Sequence, residues 1–260
     1  MQIIFYSGHL VCRLIQYLGE ITALFFQTLY LCAAPPFKGH RILKQANRVG
    51  PGSFFIAALV AFFVGMIIAL QMAYQMVKLS AELYIPNLVA VSLTRELGPV
   101  LTALIVAGRV GAGITAEIGS MTVTEQVDAL KAFAVNPTKY LVVPRFLALV
   151  IMLPLLTVFA DLIGIFGGYM ICVFKLDISP QMYLMMVAKA VQLKDIVTGL
   201  VKTICFGGII ALVGCHQGLT LRGGAEGVGR ATTASVVISF ILIIMADAFF
   251  TTMFYFIFNA

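Results

Sequence analysis

Five ionisable side chains stand inside stretches that are otherwise free of charge, and they set what chemistry is conceivable. Arg95 and Glu96 are adjacent, Asp161 and Asp247 are single acids in two further runs, and Lys202 borders a fourth apolar run. A charge in an apolar segment costs several kcal/mol unless it is paired or faces a wet cavity. Arg95-Glu96 therefore reads equally as a polar spot in a substrate path or as an ion pair that fixes helix packing. Neighbours on a helix point about 100° apart and cannot form one ideal pair with each other. Glu96 is expected to border the polar part of a cavity, and Arg95 to be held by carbonyls or an acid. Asp161 and Asp247 could form a proton or ion relay. No second acid or histidine repeats at helical spacing beside either, so helix caps or polar glue between helices fit better, with Lys202 snorkelling outward.

Other chemistries find less support. His9, His40 and His216 are too scattered to converge on a metal or to serve a nucleophile. The run Gly111-Ala112-Gly113-Ile114-Thr115-Ala116 imitates a dinucleotide fingerprint, which would need a preceding strand and a βαβ unit. Small residues at this density instead let helices approach closely or let the backbone turn at a membrane edge. Gly164-x-x-x-Gly168 and Gly214-x-x-x-Gly218 read as packing faces in the same way.

The elements that must position these residues follow from composition. Of 260 residues only 11% are charged, against about a quarter in soluble domains, and 61% are apolar. Too little polar surface exists to coat a water-soluble globule. The expectation is an all-α integral membrane protein. A net charge of +6 is spread between apolar runs rather than massed in a stripe, which suits lipid headgroups and argues against a nucleic-acid partner. Five cysteines, with Cys172, Cys205 and Cys215 inside apolar runs, give no disulfide framework or metal spacing. The first basic residue, Arg13, follows the apolar start, unlike a signal peptide.

Charge-poor stretches predict five spans, at 49–77, 83–108, 146–174, 203–221 and 231–258. Within 2–33, His9, Arg13, Gln16, Glu20 and Gln27 share one helical face opposite Ile, Leu, Phe and Tyr, which predicts an interfacial helix. Residues 21–37 carry no charge and leave a sixth crossing open. Pro35-Pro36 should end that helix, and Lys38, Arg41, Lys44 and Arg48 form a basic collar. Between spans two and three, Thr122-x-x-Glu125 predicts a capping box opening a short semi-polar helix over 122–135, stopped by Asn136-Pro137. With the N-terminus inside, eleven Lys and Arg fall in inner segments against four in outer ones, so the helix between spans two and three is expected in the cytoplasm. The chain reads as one domain over 1–260, with 1–48 as interfacial helix and collar and 49–260 as membrane body. There is no Walker A pattern and no room for a catalytic domain, so any ATP-driven step must come from a partner.

Several motifs in register then resemble the MlaE/YrbE permease family. They are Ser92-Leu93-Thr94-Arg95-Glu96-Leu97-Gly98-Pro99-Val100, Ala107-Gly108-Arg109, Ala116-Glu117-Ile118-Gly119-Ser120-Met121 and Thr124-Glu125-Gln126-Val127-Asp128-Ala129-Leu130. Val135-Asn136-Pro137, Pro144-Arg145 and Gly227-Val228-Gly229-Arg230-Ala231-Thr232-Thr233 follow in order. The resemblance runs from about residue 50 to the C-terminus. It implies a homodimeric ABC transporter permease of a bacterial inner membrane that moves phospholipid between inner and outer membranes. It further implies a cytoplasmic ATPase pair (MlaF-like) that binds the ATP and Mg, with no cofactor in this chain. A periplasmic MCE-domain protein (MlaD-like) and often a STAS-domain protein (MlaB-like) complete the assembly.

On that resemblance the helix at 122–135 is the coupling helix, with Glu117, Glu125 and Asp128 contacting the ATPase or bracing the loop. Ile68, Met72, Met76 and Leu79 follow i, i+4, i+8, i+11 on span one. Methionine adapts to variable apolar partners. This face reads as ordinary packing or as the wall of a lipid cavity, and with Arg95 and Glu96 it forms the expected lipid site. The competing reading is a secondary, ion-coupled transporter, which five spans and no inverted repeat disfavour.

Overall fold

Lipid offers a backbone no hydrogen bonds, so apolar runs of this length must close their own as helices. The computed structural model describes residues 2–33 and 39–259, with side chains at 16–33 and 39–257. Every element among them is helical. Five helices are long and apolar enough to cross a membrane: span one (Gly39–Leu79), span two (Glu82–Val123), span three (Thr138–Leu176), span four (Leu193–Leu219) and span five (Ala225–Ile257). Each extends past its charge-free core, because helical hydrogen bonding continues into the polar headgroup zone. Span four starts ten residues before the expected 203. The Gln192 amide donates to the Asp195 carboxylate at 3.1 Å and the Gln192 side chain accepts from the Asp195 amide, a capping box built from unusual residues.

Span two is the least regular. It widens into π-turns at Leu93–Leu97 and Ala107–Gly111, and a third π-turn, Thr138–Val142, opens span three. Such turns add one residue to a helical turn and cluster at functional sites. Both insertions in span two fall on the arginine-bearing motifs. The glycine-rich run at 108–116 is therefore helix, with no strand before it.

Packing rests on close backbone approach. A Cβ on Gly65 would stand 1.9 Å from the Gly164 carbonyl oxygen, so spans one and three meet backbone to backbone there. A Cβ on Gly214 would stand 3.2 Å from the Gly111 carbonyl oxygen, and one on Gly218 2.7 Å from Ile118 Cβ. Both expected small-residue faces are thus contact faces. One core joins spans two, three and four through Val106, Leu149, Leu153, Phe206 and Ile210. A second joins spans one, two and three and the helix Pro180–Ala190 through Ile68, Val89, Leu93, Cys172 and Tyr183. Buried threonines satisfy their hydroxyls locally, as when Thr115 donates both to Gly111 O and across to Gly214 O at 3.1 Å. Span five is the least buried of the five, and Val237, Ile241, Ile244 and Met245 face outward from it.

Three further elements complete the described residues. The N-terminal helix, Gln2–Ala33, is not among the five candidate spans. The expected polar face at His9 and Arg13, the Pro35-Pro36 stop and Lys38 lie outside the described side chains. Where it is described, Ile21, Leu24 and Phe25 pack on the core and the exposed polar residues edge that contact: Glu20 meets His216 at 3.0 Å, Gln217 donates to Tyr17 at 3.2 Å, and Thr138 donates to Gln27 at 3.4 Å. Phe26 and Tyr30 face outward. The polar face thus edges a docking seam while staying open itself.

The linker helix between spans two and three is only Gln126–Ala132. No capping box forms at its start. The Thr122 hydroxyl is committed to Ile118 O and Gly218 O, both at 3.0 Å, and Glu125 takes a left-handed φ of 58°. Span two runs to Val123, so Thr122 belongs to its last turn instead of opening a new helix. Asn136 is a start and not a stop, since its Oδ1 accepts from the amides of Thr138 at 2.9 Å and Lys139 at 3.4 Å. Finally, Pro180–Ala190 forms a helix between spans three and four that the hydropathy pattern did not reveal. Ser179 caps it, and its Tyr183 hydroxyl donates to Ile165 O at 2.8 Å.

Candidate functional site

Span two carries Glu96 on its first π-turn, span four carries Lys202 ten residues in, and span five carries Asp247 and Thr251 one turn apart. These meet inside the membrane body. Lys202 Nζ lies 2.5 Å from Glu96 Oε2 and 2.9 Å from Asp247 Oδ1. It also donates to Thr251 Oγ1 at 2.8 Å and to the Arg95 carbonyl at 3.4 Å. Thr251 in turn donates to Glu96 Oε2 at 3.0 Å. Arg95 Nε reaches Glu96 Oε1 only at 3.9 Å, as the divergence of adjacent side chains predicts.

Charge and exposure define what this node can do. Two cations and two carboxylates sum to zero, so the cluster is tolerable in a low-dielectric body. The Lys202 side chain is 1% exposed, whereas Glu96 and Arg95 keep about a third of theirs open. The lysine is the structural centre and the Arg95-Glu96 pair the accessible rim. Lys202 therefore does not snorkel outward, correcting the sequence expectation. Placing the start of span four at 203 hid how far inside the helix it lies. Asp247 acts as polar glue between helices. The available signal was Asp247-x-x-x-Thr251, which puts an acid and a hydroxyl on one face of span five. Asp161 stays apart, its Oδ1 buried against Gly98 at the end of the π-turn with no hydrogen-bond partner among the described residues.

Ile68, Met72 and Met76 share one face of span one, and that face packs into the second core against spans two and three. Leu79, in the last turn, is 70% exposed. The stripe thus grades from buried to open toward the far end of the span.

A second cluster marks the linker end of the body. Glu117 pairs with Arg48 at 2.7 Å and with Arg145 at 3.2 Å, tying spans one, two and three together. The Arg145 side chain is 5% exposed and donates to Leu141 O at 2.7 Å. Glu117 is therefore a brace inside the body. Glu125 and Asp128 are exposed on the linker, with Asp128 paired to Lys131 at 2.7 Å. The structure separates these three residues, which the sequence grouped together. A second left-handed residue, Ala134 at φ 55°, follows the linker helix, so non-glycine residues in a strained conformation bracket it on both sides. Phe133 between them is 80% exposed. A cleft of about 550 Å³ opens beside it, lined by Gln27, Val127, Lys131, Asn136, Pro137 and Leu219.

Comparison with known proteins agrees with this architecture. The family model described as "Permease MlaE" matches residues 42–253. A Rickettsia bellii protein named "Probable ABC transporter permease protein" is 42% identical over 248 residues, covering 95% of this chain and 96% of its own. A Synechocystis protein of the same description is 46% identical over 207 residues, covering 80% and 79%. One from the red alga Porphyra purpurea is 38% identical over 223 residues, covering 86% and 85%.

Proposed function

Because the chain belongs to the MlaE permease family, and is thus the membrane subunit of an ABC transporter that works with an ATPase, we propose that it moves phospholipid between the inner and outer membranes. Family membership displaces the ion-coupled carrier reading. The whole chain acts as one permease domain in the inner membrane, N-terminus in the cytoplasm, paired with a second copy. An MlaF-like ATPase pair binds ATP and Mg on the cytoplasmic side. An MlaD-like MCE protein receives or delivers lipid outside, and an MlaB-like STAS protein attends the ATPase.

The observation that carries this reading is the neutral charge node with its open rim. An amphiphile crossing between membranes needs an apolar wall for its chains and a fixed polar point for its headgroup. Arg95 and Glu96 offer one charge of each sign at about a third exposure, anchored from behind by Lys202. Met72, Met76 and Leu79 supply the adjoining apolar wall toward the outer end of span one. The poorly covered face of span five, with a groove along Gly229, Thr233 and Val237, supports pairing with a second copy.

Force enters at the linker end. Glu125 and Asp128 face the ATPase, and the Glu117 brace passes motion of the linker to spans one and three through Arg48 and Arg145. The test is transfer of labelled phospholipid by the complex reconstituted in liposomes. ATP-dependent transfer that falls with Glu96→Gln at unchanged complex yield supports the reading. Wild-type transfer by that variant refutes the role of the rim.

A further inference from the structure

Arg109 is the arginine on the second π-turn of span two, and nothing in the transport scheme above uses it. Its Nη1 donates to Ser53 Oγ on span one at 3.0 Å. Its guanidinium lies over Gly52, where a Cβ would stand 2.5 Å from Nη1 and 2.6 Å from Nη2. Gly52 thus leaves room for the flat group, and Ser53 fixes its direction. Among the described residues no carboxylate pairs with Arg109, although its side chain is exposed. The neighbouring acid, Glu117, is already shared between Arg48 and Arg145, so this end of the body keeps uncompensated positive charge.

Depth narrows what can answer that charge. Arg109 lies eight residues from Glu117 along span two, about 12 Å farther into the membrane at 1.5 Å per residue. This is the zone between headgroups and acyl chains, where water is scarce and the abundant anion is a phosphodiester. A guanidinium offers phosphate two parallel N–H donors, a geometry an ammonium cannot copy. One donor is spent on Ser53, which leaves the fork oriented and partly free. We propose that Arg109, set by Gly52 and Ser53, is a binding site for the phosphodiester of one glycerophospholipid in the cytoplasmic leaflet. The leaflet assignment rests on the orientation given under the proposed function. The site lies near the opposite leaflet from the Arg95-Glu96 rim and is a separate holding point.

The experiment is native mass spectrometry of the purified full-length chain, titrated with phosphatidylglycerol or with diacylglycerol of the same chains. Wild type should retain one phosphatidylglycerol through detergent stripping. Arg109→Ala should lower retention about tenfold, the worth of a charge-assisted hydrogen bond or two. Arg109→Lys should restore it only in part. Gly52→Val, which fills the niche and leaves the arginine in place, should match Arg109→Ala. Lys78→Ala at the far end should match wild type, and thermal unfolding of each variant identifies the folded ones to compare. Undiminished retention in folded Arg109→Ala, or equal retention of diacylglycerol, would overturn the site as plain apolar packing. Displacement by millimolar inorganic phosphate would overturn the lipid assignment in favour of the free ion. If these outcomes hold but the reconstituted complex moves no phospholipid, the transport reading falls and the site stands.

Discussion

Lys202 of span four and Glu96 of span two hold each other at 2.5 Å within the membrane body, with the lysine side chain shut off from the surface and the glutamate one-third open. Their unequal exposure separates two duties in one ion pair. The buried partner sets how the helices pack, and the open one meets whatever occupies the adjoining space.

Removing the buried partner alone should therefore damage the fold. Lys202→Met leaves Asp247 without a cation and Glu96 with only Arg95, 3.9 Å away, a loss of about 3–5 kcal/mol for a broken buried pair. Thermal unfolding in detergent should show a large drop in Tm. The triple variant with Glu96→Gln and Asp247→Asn removes the stranded charges and should recover most of that stability. A triple variant as unstable as Lys202→Met would show that the lysine's hydrogen bonds to Thr251 and the Arg95 carbonyl, not its pairing with the two acids, hold the helices.

The brace at the linker end should respond unevenly. Glu117→Gln strands Arg145, whose side chain is almost wholly buried, and should cost about 3 kcal/mol. Arg48→Ala removes the exposed arm of the same cluster and should cost under about 1 kcal/mol. Chemical denaturation of both variants under one condition checks the ratio. Equal losses would refute the unequal roles given to the two arginines.

Much of the fold was legible before any coordinates, and the misses share one physical cause. Hydropathy marks where a helix is dry, not where it ends. Hence the five spans appear in the sequence, while Lys202 is mistaken for a headgroup residue because Leu193 to Lys202 looks amphipathic. The π-turns carry no pattern of their own, being stabilised by contacts between spans. Pairings such as Glu117 with Arg145 join residues whose proximity depends on helix crossing angles. The bonds of Glu20 to His216 and Gln27 to Thr138 were hidden for the same reason: a polar stripe can edge a docking seam as readily as it meets water.

The linker geometry gives a prediction of opposite sign. Glu125 and Ala134 are held at positive φ, which costs a non-glycine residue about 1–2 kcal/mol. Ala134→Gly should relieve strain and raise Tm slightly after the entropy of the freer unfolded chain is subtracted. Glu125→Lys with Asp128→Lys should leave the stability within about 0.5 kcal/mol of wild type, as exposed substitutions do, yet abolish recovery of the ATPase in a pull-down. Normal recovery would remove these two acids from the interface.

The stripe on span one should label lipid in a gradient. Photo-crosslinkers at Leu79 and Met76 should capture more phospholipid than one at Met72, and one at buried Ile68 should capture least. A probe at Phe62, which stacks toward Phe166 on span three, should capture far less than Leu79. Uniform capture at all positions would mean ordinary surrounding lipid and no cavity wall.

The seam between the N-terminal helix and span four has a consequence for synthesis. Glu20 bonds a residue 196 positions later in the chain. At a ribosomal pace of 5–20 residues per second, its partner emerges about 10–40 s after it does. Until span three emerges with Thr138 and Phe146, that helix waits on the bilayer as an amphipathic segment. Its outward Phe26 and Tyr30 can enter the lipid while its polar side stays wet. Gln27 gains Thr138 earlier, but Glu20 and Tyr17 find their partners only when His216 and Gln217 arrive, so an element made early is among the last to be fully fixed.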